Sequence, residues 1–166
     1  MIRAVCFDLG DTLVAEETVV HDSCGRAIDA QVVEHATEVL EAIRGQGYKV
    51  ALVANDDGVN VRNLLGTCGL ENYFDVTVIS GEVGTEKPDE RIFQLALNEL
   101  GIEPGEAVMV GNRLDTDIQG ANRIGMRSVW FRWNDRYDST IKSQEQTPDI
   151  TIRSLAELPQ ALSTLA

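Results

Sequence analysis

Short runs of apolar residues alternate along the chain with segments in which apolar residues recur every three or four positions. The short runs have the length of strands and are apolar throughout, which is typical of strands buried on both faces of a parallel sheet. The other segments have the spacing of helices that pack one face on such a sheet. The pattern therefore predicts an α/β fold of three layers, with a central parallel sheet and helices on both faces.

The predicted elements can be placed by residue number. Strands are expected at 2–7, 49–54, 76–79, 107–110 and 128–131, with an edge strand at 150–152. Helices are expected at 31–45, 58–65, 92–100, 118–124 and 155–164. Gly45 and Gly101 end two of the helical patterns. The segment 134–148 is polar and without periodicity, which predicts a surface loop.

Length and charge limit the classes of protein to which the chain can belong. A chain of 166 residues suits one domain with its own core, so we expect 1–166 to be a single domain. The 27 acidic and 14 basic residues give a net charge of −13, which opposes binding to nucleic acid and to anionic membranes. An anionic substrate is repelled as well. A phosphate site would need local attraction from a metal ion, a lysine and backbone N–H groups.

The cysteines and the N-terminal residues indicate the cellular compartment of the protein. Three cysteines, Cys6, Cys24 and Cys68, are odd in number and lack metal-ligand spacing, so reduced thiols are expected. The apolar run at 4–7 is too short for a signal peptide, and no later run has the length of a membrane span. We therefore expect a cytoplasmic protein without a membrane partner.

Polar residues follow the ends of successive predicted strands. In chain order they are Asp8, Asn55, Lys87, and then Asn112 with Asp115 and Asp117. Each has an ordinary structural explanation, as a turn residue, a helix cap or a solvated loop residue. In a parallel sheet, however, the carboxyl ends of the strands share one edge, where ligands bind. A carboxylate such as Asp8 can attack phosphorus, and Mg²⁺ with Lys87 can neutralise the charge.

Four segments in the same order resemble motifs I to IV of the haloacid dehalogenase (HAD) hydrolases. They are FDLGDTL at 7–13, VALVAN at 50–55, GTEKPD at 84–89 and VMVGNRLDTDI at 108–118. The resemblance implies a Rossmann-like fold and a phosphomonoester phosphatase that forms an aspartyl-phosphate on Asp8. The expected substrate is a phosphorylated small molecule or a phosphate ester on a larger molecule.

The resemblance also implies roles for individual residues. Asp8 would be the nucleophile, and Asn55 and Lys87 would contact the phosphate. The implied Mg²⁺ ligands are Asp8, the carbonyl of Gly10, Asn112 and Asp117.

The chain departs from the family pattern at three positions. Gly10 stands where family phosphatases usually carry a second Asp, which protonates the leaving group and then activates water. Loss of a general acid–base slows a reaction by ~10²–10⁴. Asp11 is an alternative acid, although a shift of one position turns its side chain elsewhere. Ala54 lacks the hydroxyl usual in motif II. Asn112 replaces the first acid of motif IV, for which Asp115 is a candidate replacement.

The spacing of the motifs leaves no room for a large cap domain. Only 14–30 remains for the squiggle and flap of the family, and the stretch between Asn55 and Lys87 holds one helix and one strand. Members without a cap have open sites, which suit a phosphate on a larger molecule. They also suit a small substrate that is covered by a second copy of the chain. A homo-oligomer is therefore one of the possible states of the protein. A dehalogenase builds its pocket partly from the cap and is disfavoured.

Two functional readings remain. One is a slow Mg²⁺-dependent phosphatase. The other is a degenerate member of the family that binds a phosphorylated ligand or a protein partner without turnover.

Overall fold

The computed structural model describes all 166 residues and is built around a six-stranded parallel sheet. In chain order the strands are β1 (Ala4–Phe7), β2 (Val20–His21), β3 (Ala27–Asp29), β4 (Lys49–Ala54), β5 (Val76–Ile79), β6 (Ala107–Gly111), β7 (Arg127–Phe131) and β8 (Ile150–Ile152). The sheet order is β5-β4-β1-β6-β7-β8, and β2 and β3 form a separate antiparallel hairpin. The predicted fold class is confirmed.

Helices cover both faces of the sheet. They are α1 (Ala36–Gly45), α2 (Gly58–Thr67), α3 (Ser80–Val83), α4 (Glu90–Leu100), α5 (Gln119–Arg123) and α6 (Leu158–Leu165). The apolar sides of α1, α2 and α6 meet one face of the sheet, where Val5 and Phe7 of β1 point. The sides of α4 and α5 meet the other face, with Ala4 and Cys6. None of the helices has the length and apolar composition needed to cross a membrane.

The first helix is shorter than its apolar spacing predicts. It begins at Ala36, whereas the sequence predicted 31–45. Val32 instead forms an antiparallel bridge with Val14, and His35 adopts the left-handed conformation with φ of 66°, which a continuing helix excludes. The bridging partner lies in the segment after β1, so the spacing of nearby residues carried no sign of it.

Three other boundaries differ from the prediction. The first strand begins at Ala4 rather than at residue 2. A π-helical turn at Leu114–Ile118 precedes α5, and a 3-10 turn at Leu155–Glu157 precedes α6. The four-residue helix α3 was not predicted, because it is too short to show a helical period.

The family's two cap positions hold only short connections. Between β1 and β4 the chain forms a 3-10 turn at Glu16–Thr18, the β2–β3 hairpin and α1, and between β4 and β6 it forms α2, β5, α3 and α4. The hairpin is fixed on α2, since the Ala27 N–H donates to Asn60 Oδ1 at 2.9 Å and Asn63 Nδ2 donates to the Ala27 carbonyl at 3.0 Å. Through His21 and Ala27 the hairpin also lines a cleft that contains Asp8 and Asn55, the residues that follow β1 and β4.

Candidate active site

A buried lysine joins two carboxylates at the carboxyl edge of the sheet. Lys87 Nζ lies 2.7 Å from Asp8 Oδ1 and 2.8 Å from Asp117 Oδ1. The side chains of Lys87 and Asp117 are 2% and 1% exposed. Burial by itself would lower the pKa of Lys87, but the two carboxylates outweigh it, so the net pKa is raised and the ammonium stays protonated. Burial, and then the charge of Asp8, raise the pKa of Asp117.

The main chain of Lys87 is held by the amide that follows β4. The Lys87 N–H donates to Asn55 Oδ1 at 2.8 Å, and Asn55 Nδ2 donates to the Lys87 carbonyl at 2.9 Å. Both ends of the Asn55 amide therefore serve to position the lysine. One N–H of the amide group is left over for a further acceptor.

The second oxygen of Asp8 faces two other polar groups. One end of the Asn112 amide lies 3.1 Å from Asp8 Oδ2 and 3.2 Å from the carbonyl oxygen of Gly10. With the amide nitrogen at that end, Asn112 donates to both acceptors. With its oxygen there, the amide oxygen faces these two acceptor oxygens and accepts only a 3.5 Å hydrogen bond from the Thr12 hydroxyl. A cation between the oxygens would stabilise this second arrangement.

These oxygens fit a magnesium site of low charge. The chain has no cluster of three or more His, Cys, Asp or Glu side chains placed to hold a metal ion. Mg²⁺, however, usually takes one or two carboxylates together with neutral oxygens and waters, and its octahedral shell puts adjacent ligand oxygens about 3 Å apart. The spacing of Asp8 Oδ2, Gly10 O and the Asn112 amide matches that requirement.

The two aspartates of motif IV face different ways. Asp117 is buried, and its second oxygen accepts the Arg113 N–H at 3.0 Å. A Cβ at Gly111 would collide with this carboxylate, so glycine is required there. Asp115 is 58% exposed and pairs with Arg113 at 2.8 Å, which lowers its pKa. Of the two aspartates, only Asp117 contacts Lys87. Asp115, the candidate replacement for the first acid of motif IV, is instead paired with the Arg113 guanidinium.

Asp11, the alternative acid, belongs to a structural network. Its backbone is left-handed with φ of 51°, and its side chain is fully buried. One oxygen accepts Arg136 Nε at 2.6 Å, and the other accepts the Glu16 N–H at 2.9 Å. Trp133 Nε1 donates to the Asp11 carbonyl at 2.7 Å. The geometry therefore places both carboxylate oxygens of Asp11 in contacts that fix the chain around the site.

Sequence reasoning missed several residues of the cleft. The cleft has a volume of about 270 Å³ and contains Asp8, Asn55 and Lys87 together with Glu16, Arg113, Thr116 and Tyr137. Tyr137 Oη donates to Glu16 Oε2 at 2.6 Å, and its ring lies 4.5 Å from the Arg113 guanidinium. Tyr137 is in the segment expected to be a plain surface loop. That prediction is incomplete, because the segment folds back over the strand ends.

The residue before Asn55 brings no polar group to the cleft. Ala54 is buried and lines it without a hydroxyl. Thr116, a residue with a hydroxyl, also lines the cleft. No sequence signal distinguished Thr116 from the rest of its segment.

The fold is Rossmann-like, and its site is centred on the carboxylate of Asp8, which follows β1 and is paired with the buried Lys87. Residues 24–125 match the model of the haloacid dehalogenase-like hydrolase family. The match covers more than half of the chain, and the chain therefore belongs to this family. The membership expected from the four motifs is confirmed.

Individual relatives are phosphatases. The chain is 39% identical over 127 residues to a glyceraldehyde 3-phosphate phosphatase of Methanopyrus kandleri, which covers 76% of this chain and 54% of the relative. It is 36% identical over 133 residues to the N-acylneuraminate-9-phosphatase of Homo sapiens, which covers 80% and 52%. The chain thus spans about half the length of the curated relatives it matches.

A solved structure matches the whole chain. The crystal structure of a HAD phosphatase from Thermococcus onnurineus superposes with a TM-score of 0.82 at 28% identity, and the match covers 97% of this chain and 98% of the other. The arrangement of strands and helices is therefore shared over almost the full length of both chains.

Proposed function

We propose that this protein is a Mg²⁺-dependent phosphomonoester hydrolase that works through an aspartyl-phosphate on Asp8. The observation that carries the proposal is the division of the Asp8 carboxylate between two environments. One oxygen lies 2.7 Å from the buried ammonium of Lys87, and the other faces the Gly10 carbonyl and Asn112. The phosphatases among the relatives support the same reaction class.

Each residue has a role that follows from its contacts. Asp8 Oδ1 attacks phosphorus, while Lys87 offsets the charge of the nucleophile and of the phosphate. Asn55 holds the Lys87 main chain, and its remaining N–H is available to a phosphate oxygen. Asp117 keeps Lys87 charged and in place. Mg²⁺, held by Asp8, the Gly10 carbonyl and Asn112, would supply positive charge to the phosphate oxygens. The resemblance to the family adds Asp117 as a ligand, but its two oxygens contact Lys87 and the Arg113 N–H.

The substrate class we propose is a phosphate monoester of a small polar molecule. The two relatives named above act, by their names, on glyceraldehyde 3-phosphate and on a 9-phosphorylated N-acylneuraminate. The cleft of this chain is lined by apolar residues together with Arg113, Thr116 and Tyr137. Such a lining suits the remainder of a phosphorylated metabolite.

The test is hydrolysis of p-nitrophenyl phosphate and of a panel of sugar, nucleotide and acyl phosphates, with Mg²⁺ or with EDTA. Wild type is compared with Asp8→Asn, which keeps the shape of the side chain and removes the nucleophile. The proposal predicts Mg²⁺-dependent release of phosphate by wild type and its loss in the variant. Equal rates for the two proteins on every substrate would refute the enzyme and favour ligand binding without turnover.

A further inference from the structure

A glutamate occupies the space above Gly10, where the family's second acid is missing. A Cβ built on Gly10 would lie 2.5 Å from Glu16 Oε1 and 3.1 Å from Glu16 Cδ. In an aspartate, standard bond lengths put the carboxylate oxygens about 2.4 Å from Cβ. The Glu16 oxygen therefore lies at the distance from position 10 at which an aspartate would present its own oxygens.

The two oxygens of Glu16 have different surroundings. Oε2 accepts the Tyr137 hydroxyl at 2.6 Å and lies 3.8 Å from Arg136 Nε. The main chain is fixed as well, since the Glu16 N–H donates to Asp11 at 2.9 Å. Oε1 accepts no hydrogen bond from the protein, and Glu16 lines the same cleft as Asp8. One oxygen is thus anchored while the other is free for a substrate or a water molecule.

We propose that Glu16 is the general acid and base of this site and takes the place of the acid absent at position 10. The inference rests on the proposed function. In the first step Asp8 Oδ1 forms a bond to phosphorus, the bond from phosphorus to the ester oxygen breaks, and Glu16 gives its proton to that oxygen. In the second step Glu16 takes a proton from water, whose oxygen attacks phosphorus. Inorganic phosphate and the free Asp8 carboxylate result.

Three other groups near Glu16 are engaged in contacts of their own. Both oxygens of Asp11 are held by Arg136 and by the Glu16 main chain. The Tyr137 hydroxyl donates its hydrogen to Glu16 and so acts as a positioning residue. Asp115 pairs with Arg113. Asp56 also lines the cleft, and only its Oδ1 accepts hydrogen bonds, from the Asp57 N–H and Asn60 Nδ2. Glu16, however, is the carboxylate that lies against Gly10.

The test uses Glu16→Gln. Glu17→Gln, which changes the exposed neighbouring residue, is the matched control. Phenyl phosphate has a poor leaving group that needs a proton, whereas p-nitrophenyl phosphate has a good one. We expect Glu16→Gln to slow phenyl phosphate turnover by about 10²–10³-fold, within the usual contribution of a general acid–base. With p-nitrophenyl phosphate we expect a fast burst followed by slow turnover, because phospho-Asp8 forms but is not hydrolysed. The control should behave as wild type.

A second variant separates a chemical role from a structural one. In Gly10→Asp alone the new side chain meets Glu16, so no gain in rate is expected. Gly10→Asp combined with Glu16→Ala restores an acid at position 10. Turnover by this double variant should exceed that of Glu16→Ala by about tenfold or more, a part of the rate enhancement that a general acid–base usually gives.

The outcomes distinguish the two proposals. If Glu16→Gln matches Glu17→Gln on both substrates while Asp8→Asn is inactive, the role of Glu16 is refuted and the proposed function stands. If wild type is no faster than Asp8→Asn, both are refuted. A loss of rate that is equal for the two substrates, without a burst or a rescue by the double variant, also refutes acid–base catalysis by Glu16.

Discussion

Lys87 shows how a single charge can hold a site together. Its ammonium is 2% exposed and contacts two carboxylates that would otherwise repel each other. We predict that Lys87→Met, measured by urea unfolding in EDTA, loses about 3–5 kcal/mol of unfolding free energy, the usual cost of breaking a buried ion pair. Hydrolysis should be lost as well.

Two further variants control this prediction. Lys87→Met with Asp117→Asn removes one of the uncompensated charges, so part of the unfolding free energy should return. Lys142→Met removes a lysine whose side chain is 65% exposed, and it should change stability by under about 0.5 kcal/mol. If Lys87→Met lowers the unfolding free energy no more than Lys142→Met does, the contacts of Lys87 with Asp8 and Asp117 do not stabilise the fold.

The residues that the sequence identified were those directly after strands. Asp8, Asn55 and Asn112 could be placed because β1, β4 and β6 are apolar runs whose carboxyl ends must meet. Glu16 could not, because its place above Gly10 depends on a hydrogen bond to Tyr137, 121 residues away in the chain. A contact of that range leaves no trace in the spacing of nearby residues.

At the scale of elements, Asp75 links a helix to the sheet. It accepts the Val50 N–H of β4 at 2.8 Å and contacts Arg44 of α1 at 3.0 Å. Burial alone would raise the pKa of Asp75, but these two contacts outweigh it and lower the pKa. Between the lowered value and the ordinary one the unfolded chain binds more protons than the folded chain, so stability rises with pH there.

The stabilising effect of Asp75 should be complete above its ordinary pKa and fade as the pH falls through the lowered value. We predict that Asp75→Asn removes about 1 kcal/mol or less at neutral pH, since the side chain is 39% exposed and screened by solvent. The difference from wild type should vanish in acid. Urea unfolding at several pH values measures this difference in unfolding free energy. Asp135→Asn, at a residue whose side chain is 86% exposed, is the control. A difference that persists unchanged in acid would contradict the prediction.

Elements were predicted well where burial alone defines them. Strands apolar on both faces, such as β4 and β6, lie within a residue of their expected ends. The start of α1 was misplaced because Val32 pairs with Val14 instead of continuing the helix. The segment 134–148 has no apolar period, and its folding over the cleft comes from specific polar contacts of Arg136 and Tyr137.

At the scale of the whole molecule, the net charge of −13 opposes the approach of an anionic substrate. Added salt screens this repulsion, since the Debye length falls from about 10 Å at 0.1 M to about 3 Å at 1 M. We therefore predict that kcat/KM for a dianionic phosphate monoester rises as KCl is added at fixed Mg²⁺. A steady fall in kcat/KM would show that the local charges of Lys87 and Arg113 control the encounter instead.

Detection of the covalent intermediate on Asp8 tests the proposed mechanism directly. After reaction with p-nitrophenyl phosphate and Mg²⁺, borohydride reduction converts an acyl phosphate to a primary alcohol, and peptide mass spectrometry locates it. We predict reduction at position 8 in wild type, more of it in Glu16→Gln, and none in Asp8→Asn. Turnover without modification at position 8, or modification at another residue, would contradict nucleophilic attack by Asp8.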